Sequence, residues 1–265
     1  MGRLTGIMHG DSWRSIWELA KRDYQARYMG SFLGAFWTYA QPLLFMGMLY
    51  LLFSSGFRGG RATNYDYGVW LVAGYIAWDY FTDLVNALGG VFRQYRFLVK
   101  RGDFNIYLLP AIKVLSTIGP HLVFIGFAVA LAWANGVAPT PMLLQLVFFL
   151  TCLVMFACGI GIIAAALIPF VPDVGNVVQV ITRFGFWLTP IFWSAERLPE
   201  QYRWVADANP MYHVVTGYRN SIVDAQSILA TLEGNAYLLA FSIATLMLGL
   251  GVLRRIRPHL GEVIR

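Results

Sequence analysis

Asp79, Asp83 and Asn86 fall at i, i+4 and i+7 along one largely apolar stretch. That spacing sets them on one face of a helix. Two carboxylates on one face can hold a divalent metal, which keeps a membrane-embedded enzyme among the readings. Charges inside an apolar segment are rare, and usually pair or face water. Two cations lie at comparable depth, Lys113 and Arg183. At about 1.5 Å per residue, Asp83, Lys113 and Arg183 all sit about 9–14 Å from the near ends of their segments. An intramembrane charge pair of Asp83 with Arg183 or Lys113 is therefore expected, and a structural pair is preferred to a proton relay.

Other chemistry is missing from the chain. No G-x-x-x-x-G-K-[ST] occurs, and none of the three lysines, Lys21, Lys100 and Lys113, follows a glycine. The chain does not hydrolyse ATP by a P-loop. The four histidines are scattered, and neither H-E-x-x-H, C-x-x-C nor G-x-S-x-G appears. No catalytic residue or metal site is assigned. His121, beside Pro120, reads as a packing or hydrogen-bonding residue. Cys152 and Cys158 are six apart, so they point to different faces and read as small apolar packers.

The elements that carry these residues are membrane helices. Hydrophobic residues make up 58% of the chain and charged ones 13%, against about a quarter charged in soluble domains. Mean hydropathy is +0.57. Spans of about 20 apolar residues are expected at 32–54, 70–92, 107–134, 142–168, 177–195 and 234–253. They are too long and too continuously apolar for barrel strands. The N-terminus lacks a cleavable signal pattern. Thirteen Lys and Arg fall in the N-terminal segment, the second connection and the tail, against five on the other side. The positive-inside rule then places both termini and residues 93–106 in the cytoplasm. The formal charge of +6 is read as this topology and not as nucleic-acid binding. The fold class expected is all-α integral membrane, one domain over 1–265.

Two segments depart from plain spanning helix. Between Ser12 and Tyr28, Trp13, Ile16, Trp17, Ala20, Tyr24 and Tyr28 recur at helical spacing, with Arg14, Glu18, Lys21 and Arg22 away from them. Such a helix lies in the membrane plane, facing anionic headgroups. Residues 196–232 hold two short aromatic stretches split by prolines, each too short to span, and read as re-entrant or interfacial.

The run Arg27-Tyr28-Met29-Gly30-Ser31-Phe32-Leu33-Gly34, closing with Gln41-Pro42, joins the interfacial helix to the first span. With the charged second connection, Thr189-Pro190-Ile191 and Asn209-Pro210, it resembles the permease subunits of ABC-2-type exporters, especially those for capsules, O-antigens or teichoic acids. The resemblance implies a homodimer with two copies of a separate P-loop ATPase, which would bind ATP and Mg. It implies a lipid-linked polysaccharide as substrate, the bacterial cytoplasmic membrane as location, and contact with membrane lipids and outer-envelope export components.

The resemblance also assigns roles. Arg14, Lys21, Arg22 and Arg27 would meet the phosphate of the lipid-linked substrate. Residues 93–106 would be the coupling helix, with Leu98, Val99 and Phe104 as apolar plug and Lys100, Arg101 and Asp103 as rim. Phe104→Asp would then abolish export without loss of folded protein. Residues 196–232 would form an outer gate with Tyr202, Trp204, Tyr212, Tyr218 and Arg219. Trp37 and Tyr39 on the first span, with Phe184, Phe186, Trp187, Phe192 and Trp193 on the fifth, would line the channel, since ring faces suit sugar rings. An exporter of drugs or lipids, and an enzyme acting on lipid-linked sugars, are the alternatives.

Overall fold

The computed structural model describes residues 13–27, 33–54, 66–100 and 104–263. Helices account for nearly all of them, and no strand occurs among the described residues. Four segments are long and apolar enough to cross a membrane: Phe36–Ser54, Leu108–Ala134, Pro141–Leu167 and Ile228–Gly261.

The chain opens with α1 (Trp13–Ala26) and α2 (Gly34–Ser54). Next comes α3 (Tyr67–Gly89), capped by Asp66, whose Oδ1 accepts from Gly68 N at 2.8 Å. Two single turns follow, α4 (Val91–Gln94) and α5 (Arg96–Val99). The long helices α6 (Leu108–Ala134) and α7 (Leu146–Leu167) precede α8 (Asp173–Leu188). Short helices α9 (Arg203–Asp207) and α10 (Pro210–Arg219) lead through a π-helical turn, Asn220–Asp224, to α11 (Leu232–Val263).

α3 is the central post. It packs against α2, α6, α7 and α10, and most of its residues are buried. It carries two carboxylates, Asp79 and Asp83, and protein surrounds it on several sides. α7 and α11 cross closely where Gly159 faces Gly249. A Cβ on Gly159 would lie 2.5 Å from the Thr245 backbone, and one on Gly249 would lie 2.6 Å from the Gly159 carbonyl. Small residues permit such close approach between membrane helices.

α8 departs from the expected 177–195. It begins earlier and stops at Leu188, because Thr189 before Pro190 takes an extended conformation, as a residue before proline prefers. At 16 residues it is about 24 Å long, short of a hydrocarbon core of about 30 Å.

Candidate transport site

The expected charge pair is corrected. Lys113 Nζ meets Asp23 Oδ1 at 2.7 Å, both fully buried, and Asp83 pairs instead with Arg27 Nη1 at 3.3 Å. Arg183 is exposed on α8. The difference lies in the first segment: Asp23 belongs to the helix expected at the membrane surface, yet it faces the bundle. Ile16, Ala20 and Asp23 form the buried stripe of α1, which lies against α6, while Trp17 is exposed.

Asp23 is a hub. Besides Lys113 it accepts hydrogen bonds from Tyr95 Oη (2.7 Å), Gln94 Nε2 (2.9 Å) and Ser116 Oγ (2.7 Å). Arg27 Nε approaches at 3.8 Å. Lys113 also donates to Gln94 Oε1 at 2.6 Å. One carboxylate thus ties α1 to α4, to Tyr95 and to α6. Burial pushes the Asp23 carboxyl up. The bonds from Lys113, Ser116 and Tyr95, with the ammonium charge, outweigh it and hold the group below the ordinary carboxylate range.

The four cations expected to meet phosphate divide. Arg14, Lys21 and Arg22 are exposed, with Arg14 3.7 Å from Glu18. Arg27 is engaged between Asp23 and Asp83. Tyr28 lies outside the described residues.

The connection between α3 and α6 revises the apolar plug. Val99 is buried, and Leu98 and Phe104 pack half-buried against the core. Phe97 is the exposed ring, 60% accessible. Lys100 is exposed, whereas Arg101 and Asp103 lie outside the described residues. Counting apolar residues could not separate Phe97 from Leu98, since the register of a four-residue turn is set by its neighbours.

The aromatic wall is partly exposed. Trp37 on α2 and Phe184 and Trp187 on α8 are open to the surroundings. The others pack within the chain. The Tyr39 hydroxyl is 3.0 Å from that of Tyr24, Phe186 meets Tyr75 and Phe192 edge-on, and Trp193 Nε1 donates to the Trp187 carbonyl. Phe45, Tyr75, Trp78, Phe186 and Trp187 line a cleft of about 430 Å³ with Asp79 and Arg183 at its margin.

The segment after α8 is stitched by the two proline motifs. Asn209 caps α10, accepting from Met211 N at 3.0 Å, and its Nδ2 donates to Thr189 Oγ1 at 3.0 Å. Tyr202 and Trp204 are exposed, and Tyr212 borders a cavity of about 450 Å³ with His213, Asp207 and Glu233. Tyr218 and Arg219 are buried, so their place is inside the bundle rather than on a gate surface. Arg219 donates to the carbonyls of Trp70 (3.2 Å), Pro190 (2.7 Å) and Ile191 (2.6 Å), and its guanidinium stacks on the Trp70 ring. A Cβ on Gly74 would lie 2.7 Å from Arg219 Nη2, so this glycine leaves the room for the guanidinium. His121 Nε2 lies 2.9 Å from Tyr218 Oη, and the ring stacks on Tyr80.

The bundle thus joins long apolar helices to an amphipathic first helix, a short charged connection and a proline-broken segment before the last helix. The sequence profile of the ABC-2 type transporter family matches residues 14–223. The chain belongs to this family. Among ABC-2 relatives, the O-antigen export system permease protein RfbA of Klebsiella pneumoniae is 25% identical, over 93% of each chain. The polysialic acid transport protein KpsM of Escherichia coli is 25% identical, over 88% of this chain and 90% of that one. The capsule polysaccharide export inner-membrane protein CtrC of Neisseria meningitidis is 24% identical, over 91% of each.

Proposed function

We propose that this chain is the permease subunit of an ATP-driven exporter that moves a cell-surface polysaccharide or lipid-linked glycan across the bacterial cytoplasmic membrane. The observation that carries this reading is alignment over about nine-tenths of the chain with permeases named for O-antigen and capsule export. Two copies form the channel, and a separate P-loop ATPase binds ATP and Mg. α3 and α8 complete six spans with the four apolar segments, and both termini are cytoplasmic.

In this reading the turns α4 and α5 receive the stroke of the ATPase, with Phe97 as the apolar contact. The Asp23 hub carries that movement into α1. The exposed rings Trp37, Phe184 and Trp187 offer flat faces on which sugar rings slide. The segment after α8 gates the far end.

Deleting the gene and restoring it on a plasmid tests the function. Loss of surface polysaccharide on deletion, regained with the plasmid, is expected, together with copurification of an equimolar P-loop protein with ATPase activity. Unchanged surface glycan and a chain that purifies without a nucleotide-binding partner would overturn the reading.

A further inference from the structure

We infer that the cavity between α2, α3 and α6 is a subsite for a single pyranose ring. It encloses about 240 Å³ and is lined by Trp37, Gln41, Asp79, Asp83, Thr117 and His121, among others. The inference rests on the reading of this chain as a glycan exporter and specifies where a sugar is first held.

Size comes first. An apolar cavity of about 150 Å³ accepts a benzene ring. The additional space here suits a six-membered ring bearing hydroxyl groups. Chemistry comes second. A buried carboxylate normally finds donors, because desolvation without them is costly. Asp79 has one from the chain, the Tyr75 hydroxyl at 3.0 Å. Asp83 has the Arg27 guanidinium at 3.3 Å yet keeps 47% of its side chain accessible. Carboxylate oxygens accept from vicinal hydroxyls, the Gln41 amide both donates and accepts, and the Thr117 hydroxyl does the same. Trp37, 46% accessible, supplies the ring face for the C–H side of a sugar.

The third observation is the polarity of the wall. His121 is 1% exposed and lines the cavity, and its Nε2 is engaged with Tyr218. Its Nδ1 has no hydrogen-bond partner among the described residues and is sealed from water, so His121 adds a polar ring to the wall rather than a direct contact. The placement also fits a first contact. Trp37 is near the start of α2, Thr117 and His121 are in the first half of α6, and Arg27 closes α1, so the cavity opens at the α1 end of the bundle. A lipid-linked glycan approaching from that side meets this recess before the aromatic cleft on α8. Asp79 lines both spaces and would hand the ring from one to the other.

The test is saturation-transfer NMR on the full chain in lipid nanodiscs, using a panel of methyl pyranosides that includes glucose, galactose, mannose and N-acetylated forms. Transfer to at least one member is expected. Asp79→Asn, which retains an acceptor for Tyr75, should weaken binding about tenfold, the cost of a lost hydrogen bond to a charged group. Should Asp79→Asn not yield a monodisperse protein, Gln41→Leu serves in its place, as Gln41 is exposed on α2. Thr151→Val, on α7 and lining neither space, should leave the signal unchanged. Absence of transfer to every pyranoside, or equal transfer in Asp79→Asn and the parent, would overturn the subsite. The loss of surface polysaccharide on deletion would stand beside that result, so the two readings fail separately.

Discussion

Two buried cations stand near opposite ends of α3 and are satisfied in different ways. Near its end, Lys113 is held by the Asp23 carboxylate with Gln94 beside it. Near its start, Arg219 is held by three backbone carbonyls and the face of Trp70. The first arrangement joins two opposite charges contributed by α1 and α6. It loses strength whenever either charge is lost. The second uses dipoles that no accessible pH can titrate. It needs a planar, forked donor, which Arg has and Lys lacks. The α1 end can therefore respond to charge, whereas the α10 end is fixed by geometry.

The sharpest way to break the comparison is to remove one charge at the α1 end. Lys113→Met should cost about 3–5 kcal/mol by leaving Asp23 buried and unpaired. The double variant Asp23→Leu with Lys113→Met should recover part of that loss, since an apolar pair can replace a buried ion pair while Tyr95 and Ser116 lose their acceptor. Thermal unfolding in detergent measures both. Additive losses in the double variant would mean that the two residues do not act as a pair.

At the α10 end, Arg219→Lys should cost about 1–3 kcal/mol, because a point charge cannot meet three carbonyls at once. Gly74→Ala should cost a similar amount by pressing a methyl against the guanidinium, about 1–3 kcal/mol for overpacking. If Arg219→Lys is as stable as the parent, the fork geometry is not what secures this end.

Acid should separate the two ends. The folded-state pKa of Asp23 is lowered, so its stabilising share is complete above the ordinary carboxylate range. It is lost as pH falls through the folded value. Hydrogen exchange should show residues 13–27 opening as pH falls below the ordinary carboxylate range while 210–219 stay protected. Simultaneous opening of both would erase the distinction.

The smallest effect on stability is expected at the proposed ATPase contact. Phe97→Asp should change unfolding by less than about 0.5 kcal/mol, as exposed substitutions do, yet abolish ATPase copurification and export. Phe104→Asp should instead destabilise the chain, because that ring packs against the core. The reverse pattern would return the coupling contact to Phe104.

The chain's composition and period were enough to place it in a membrane as helices, and its motifs were enough to locate the turns. Asn209-Pro210 and Thr189-Pro190 both mark breaks in sequence. Only the fold shows that the Asn209 amide donates to Thr189 and so links them. Apolar runs also located α2, α6, α7 and the start of α11 closely, because a helix needs only local periodicity to declare itself, whereas α11 continues past the expected 253 to Val263.

Partners were not legible. From sequence, Asp83, Lys113 and Arg183 have matching depth, and depth alone suggested pairing. The bundle instead turns Asp23 inward and brings Arg27 against Asp83. Which faces meet depends on the order and rotation of the helices, and these are set by packing between segments up to 149 residues apart. The same holds for Phe97, exposed on a short turn, and for Arg219, enclosed beneath Trp70. The sequence by itself determined what kind of molecule this is, a helical membrane protein with an amphipathic basic first helix and a proline-broken segment before its last helix. The tertiary structure decided which charges neutralise one another and which rings stay open, because burial and pairing belong to surfaces that exist only after the helices assemble.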